Sequence, residues 1–160
     1  MELNELSAKV GNAASKVHSE LGPFLSPSIY RSCMMMELRN MGVRVQSQVT
    51  IPVFYRGKRV KGEKFEIDLM VEDELIVEIL TMERILEFQK RQMLMYLQAA
   101  RKPWGLLINF GERLLLTAFE GSSALSPSSS EWTEAAKAKL CAISMKHCWP
   151  ISIKNYLYML

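Results

Sequence analysis

The chain has 160 residues, 49% of them hydrophobic and 23% charged, with a formal net charge of +3. That length and apolar content supply the core of one ordinary domain without metal or disulfide staples, and nothing in them suggests disorder. A charge this close to zero is no sign of nucleic acid by itself, because the total says nothing about where the cations sit.

No apolar block has the length of a signal peptide, and none approaches the roughly 18 residues of a membrane span, so the sequence predicts a soluble, cytoplasmic protein without a membrane partner. Cys33, Cys141 and Cys148 form no CxxC pair and fit reduced thiols. Zinc is unsupported, since Cys141, His147 and Cys148 lack a fourth ligand.

In chain order, residues 4–20 predict a helix, with Asn4 as cap and Leu3, Leu6, Val10, Ala13, Val17 and Leu21 at helical spacing, stopped by Gly22-Pro23. A second helix starts with Ser26 as N-cap and Pro27 in the first turn, where the missing N–H costs nothing, and runs to Gly42. Residues 43–54 alternate as a half-buried strand does. Residues 65–71 and 74–80 flank Glu72-Asp73 and predict a tight antiparallel hairpin.

Residues 83–99 predict a helix with Ile85, Phe88, Gln92, Met95, Tyr96 and Ala99 on one face, ended at Lys102-Pro103. The apolar run 104–110 predicts a buried strand, and 114–119 another. Residues 121–130 are small, polar and proline-bearing and read as a linker after a domain of residues 1–120. Residues 131–160 read as a helical extension whose apolar end docks on the core or on a second subunit, as in a homodimer.

Two features carry candidate chemistry. Arg56, Lys58, Arg59, Lys61 and Lys64 crowd a glycine-bearing stretch, which is either a solvated hairpin or a loop that tracks phosphates. A hairpin centred on Asp73 pairs residues whose numbers sum to 146, which sets Asp68 opposite Glu78. Directly opposed acids have Cβ atoms roughly 4.5–5.5 Å apart and repel unless a cation sits between them. The pair is therefore either a magnesium site, since magnesium takes one or two protein carboxylates, or a solvated edge. Gln92 and Tyr96, four apart on the next helix, share a face. His18, alone on its helix, reads as a packing residue.

Val17-His18, Leu21-Gly22-Pro23, Tyr30, Ile67-Asp68-Leu69, Val77-Glu78, Gln92 with Tyr96, and Gly105-Leu106-Leu107-Ile108-Asn109-Phe110 stand in an order that resembles the PD-(D/E)XK nuclease superfamily, and within it the GxxExxY family. The resemblance implies a mixed α/β fold with an αβββαβ core, here followed by an extra C-terminal helix. It also implies Asp68 and Glu78 as metal ligands, and Gln92 and Tyr96 as a QxxxY element beside them in the catalytic site.

The departures bear on activity. Where the superfamily writes acid, any residue, lysine, this chain has Glu78-Ile79-Leu80. A cation there would orient water and offset charge growing on the phosphorane, and losing one such donor costs roughly 10²- to 10³-fold in turnover. Aligned on Tyr30, the one remnant of the GxxExxY motif, Phe24 stands at the glycine and Pro27 at the glutamate. Lys64 would have to reach back about 13 Å to replace the lysine, and Lys90 points away from Gln92.

These features rank a DNA-binding pseudonuclease with a weak or absent magnesium site first. An active magnesium-dependent DNA nuclease comes second, and a scaffold that dimerises through residues 131–160 third.

Overall fold

A computed structural model describes residues 3–111 and 113–120. The expectations for residues 121–160, including the linker, the helical extension, Cys141, His147 and Cys148, lie outside the described residues.

Helices α1 (Leu3–Leu21) and α2 (Pro27–Asn40) precede β1 (Val45–Tyr55), β2 (Lys58–Val71) and β3 (Leu75–Leu80); α3 (Glu87–Ala100) then leads to β4 (Trp104–Phe110) and β5 (Leu114–Glu120). The five strands form one sheet in the order β1-β2-β3-β4-β5, antiparallel except where α3 carries the chain from β3 to a parallel β4. A parallel pair needs such a crossover, and the run of buried residues in β4 is what a strand covered on both faces requires. The mixed α/β fold and the order of the core elements are as expected.

One sheet face buries Leu69, Val71, Val77, Ile79 and Ile108 against Leu6, Val10 and Val17 of α1 and Tyr30, Met34 and Leu38 of α2. The other buries Ile67, Met70, Ile76 and Leu107 against Met93, Tyr96 and Leu97 of α3. Each such side chain contributes about 1.5–3 kcal/mol of burial, so the two layers hold the sheet from both sides. Gly105 sets the α3 spacing, because a Cβ there would lie 2.4 Å from Met93 Sδ.

Two local expectations hold and one, the buried face of α3, is corrected. Ser26 is the N-cap of α2 and Pro27 opens its first turn, as expected, though the Ser26 hydroxyl bonds Ser28 Oγ at 2.7 Å and no backbone N–H. Helix α3 starts at Glu87 and buries Met93, Tyr96 and Leu97, while Phe88, Met95 and Ala99 are exposed. The packed face lies about one residue from the one the apolar spacing predicts, because the helix packs through its Met93/Leu97 ridge. The basic stretch forms an exposed hairpin, the first of the two forms expected of it. A two-residue turn at Arg56 (φ 49) and Gly57 (φ 74) starts β2 at Lys58, and β1 and β2 form a long two-stranded arm. Positive φ at both central residues matches the right-handed twist of the flanking strands.

Candidate active site

The β2–β3 pairing runs Val71↔Leu75, Met70↔Ile76 and Leu69↔Val77, each pair summing to the expected 146, and stops there. Beyond it β2 continues into the arm with β1, while β3 continues alone beside β4. Asp68 and Glu78 sit in the fork. They are neighbours, as the register predicts, but no backbone pair joins them; their side chains extend the ladder instead. The Asp68 N–H donates to Glu78 Oε1 at 3.1 Å, and the Ile79 N–H donates to Asp68 Oδ2 at 2.9 Å. Each carboxylate therefore satisfies an N–H that strand separation would leave unpaired. The Glu66–Leu80 pair implied by extending the register does not form.

The cation of the site is Arg31. From α2 its guanidinium donates to Asp68 Oδ1 at 2.6 Å, with the two side chains 20% and 18% exposed. Sequence reasoning sought the cation at Lys64 or Lys90 and missed it. Lys64 is exposed on the arm opposite Pro52, and Lys90 pairs with Glu87. The available signal was spacing, since Arg31 follows Tyr30 and lies one helical turn after Pro27, on the face where the resemblance expects a carboxylate.

From α3, Gln92 Nε2 donates to Tyr96 Oη at 2.8 Å. Burial, then the charge of Glu78, raises the Tyr96 hydroxyl above its ordinary range, so this helix borders the acid pair. Burial, reinforced by the charge of Asp68, pushes Glu78 up to about 8, with the Asp68 N–H and Arg31 offsetting only part of the rise. Leu80 packs partly buried against the α3-side core and brings no charge.

Tyr30 is fully buried away from the acids. It donates to the Gly22 carbonyl at 2.5 Å, accepts from the Leu25 N–H at 3.1 Å and stacks on Phe110 with centroids 4.1 Å apart. Its contacts are therefore architectural. His18 Nε2 donates to the Gly111 carbonyl at 3.0 Å. Arg56, Lys58, Arg59, Lys61 and Lys64 are exposed on the arm and make no ion pair among the described residues. On β2, Lys64 is four positions from Asp68 and Arg59 nine, so the strand residues of this cluster lie from about 13 Å to about 30 Å from the acids along the strand.

A family model described as the PD-(D/E)XK nuclease superfamily matches residues 4–119. The chain belongs to this superfamily. Its members usually use divalent metals. Among the described residues of this one, no group of three or more His, Cys, Asp or Glu side chains comes together, so the donors available to an ion are the two acids. Two carboxylates suit a magnesium-like ion that keeps most of its waters. Of their four oxygens, Arg31, Ile79 and Asp68 itself already engage three. The set fits such an ion in number, with Arg31 competing for Asp68.

Among solved structures, the crystal structure of SSO0001 is 16% identical with a TM-score of 0.46, over 82% of this chain and 66% of that one. An alkaline exonuclease from Laribacter hongkongensis is 13% identical with a TM-score of 0.43, over 87% of this chain and 89% of that one. The chain thus spans slightly less than two thirds of the first of these. Among curated proteins, none matches.

Proposed function

We propose that this superfamily member is a pseudonuclease that binds nucleic acid, DNA in the first instance, and has impaired metal-dependent phosphodiester chemistry. The observation that carries the reading is the Arg31 guanidinium on Asp68 Oδ1, a cation supplied by the chain to the acid pair a metal would use. A divalent ion held by Asp68 and Glu78 would supply Lewis acidity and an activated water. Around it the chain offers little else. Leu80 cannot orient a water or offset charge on a pentacoordinate phosphorus, and Pro27 brings no third carboxylate. Gln92 and Tyr96 remain as polar groups beside the pair, and the basic arm supplies phosphate contacts.

Arg31 also favours a second reading, an active magnesium-dependent nuclease in which it replaces the missing lysine as the electrostatic donor. Cleavage of plasmid and single-stranded DNA with magnesium or manganese separates the two. The expected result is no cutting by the natural chain and some cutting by Leu80→Lys with Pro27→Glu, because a carboxylate at 27 lies one turn from Arg31 and can draw it from Asp68. Robust cutting by the natural chain, lost in both Asp68→Ala and Arg31→Ala, establishes the second reading instead.

A further inference from the structure

The far end of the β1–β2 arm has a composition that the acid pair does not explain. Phe54 is 62% exposed and Tyr55 66% exposed, although both lie in a strand. Between Pro52 and Phe54 the register shifts: pairs sum to 116 up to Pro52↔Lys64 and to 113 at Phe54↔Arg59 and Tyr55↔Lys58. The extra β2 residues, with Gly62 at φ 83, bulge there and start the tip as a separate unit. Directly paired residues share a face, so one face of the tip shows Phe54 beside Arg59 and the other shows Tyr55 beside Lys58. The Arg56 guanidinium lies 5.4 Å from the Tyr55 ring centre.

We propose that this tip is a stacking platform for single-stranded nucleic acid, with Phe54 and Tyr55 taking unstacked bases and Arg56, Lys58 and Arg59 holding the adjoining phosphates. The inference rests on the nucleic-acid-binding reading above and names its substrate class. Bases in a duplex already stack on each other, so exposed rings gain contact only with a strand whose bases are free, whereas the cations serve either form. A second copy of this chain is the poorer occupant. Two aromatic side chains bury about 150–250 Å² each, far below the roughly 1,200–2,000 Å² of a stable interface. Five cations against Glu63 would also face their own kind across a symmetric contact.

Fluorescence anisotropy with labelled 20-nucleotide single strands and a duplex of equal length tests this on the full chain. Single strands should bind more tightly than duplex. The double variant Phe54→Ala/Tyr55→Ala should lose about 100-fold on single strands, roughly 10-fold per ring, with little change on duplex and no change in salt slope. Lys58→Ala/Arg59→Ala should instead flatten the slope of log K against log salt by about 1.4 on single strands. If nucleic acid binds but the aromatic variant matches the natural chain, the platform is refuted while the binding reading stands. If no nucleic acid binds at low salt, both fall. Sedimentation showing that the aromatic variant converts a dimer to a monomer makes the tip a self-interface and overturns the platform.

Discussion

One β-hairpin holds two pairs of acids, and the contrast between them isolates the site. At its turn, Glu72 (φ 50) and the exposed Asp73 (φ 59) each have their own cation. Arg44 donates its backbone N–H and its Nε to Glu72, at 2.8 and 3.0 Å, and Lys102 Nζ reaches Asp73 Oδ1 at 2.9 Å. Both turn carboxyls sit below their ordinary values, held there first by hydrogen bonds from those partners. At the open end, Arg31 pairs with Asp68 and is the one cation beside the two acids among the described residues, and Glu78 moves the opposite way, up to about 8. The acids are chemically alike. What separates them is one cation each at the turn, against one cation for two in the fork.

Removing the cations should produce the largest difference. Arg31→Met keeps the aliphatic stem and leaves two half-buried acids without a counter-charge. Breaking a fully buried pair costs 3–5 kcal/mol, and partial exposure brings the expected loss to about 2 kcal/mol in chelated buffer. Arg44→Met, at a pair whose arginine side chain is 79% exposed, should cost less than about 1 kcal/mol. Chemical denaturation of both variants measures this. Magnesium should then recover part of the Arg31→Met loss and leave Arg44→Met unchanged, because an ion that binds only the folded state stabilises it. Equal losses, or no magnesium response, would remove Arg31 from its role as the site's own cation.

The pH dependences should have opposite signs. Glu78 binds a proton more readily folded than unfolded, so its contribution falls as pH rises from about 4.5 through about 8. In chelated buffer the melting temperature of Glu78→Gln should therefore gain on the natural chain between pH 5 and pH 9. Glu72 is the reverse: its stabilisation is present above its ordinary value of 4.5 and is lost as pH falls through its lower folded value. The deficit of Glu72→Gln should be visible at pH 7 and should close in acid. Parallel curves for the two variants would mean that the fork and the turn do not differ electrostatically.

The legible parts of this molecule are those fixed by short-range rules. Glu72-Asp73 between two apolar runs was enough to set the β2–β3 register, and that register alone brought Asp68 to Glu78. The four-residue spacing of Gln92 and Tyr96 sufficed for their contact. Arg31 was not legible, because it meets Asp68 across 37 residues and two packed layers, and local periodicity says nothing about that distance. The strand Lys58–Lys64 was hidden for another reason. Both faces of the arm's tip meet water, so the sequence there lacks the alternation that marks a half-buried strand.

The smallest expected effect concerns Phe24, where the resemblance places a glycine. Its φ is 62, its N–H donates to the Phe110 carbonyl at 3.0 Å, and its ring is 51% exposed. An L side chain therefore stands in a left-handed backbone, at a cost of about 1–2 kcal/mol. Comparing Phe24→Gly with Phe24→Ala removes the ring from both sides of the comparison. At an ordinary position alanine is the more stable by about 0.5–1 kcal/mol. Here the order should invert, with glycine ahead by about 1 kcal/mol in denaturant unfolding, because only glycine enters the left-handed region freely. Alanine equal or ahead would mean that the loop before Tyr30 is not locked in this conformation. The alignment of Phe24 with the motif's glycine would then lose its physical basis.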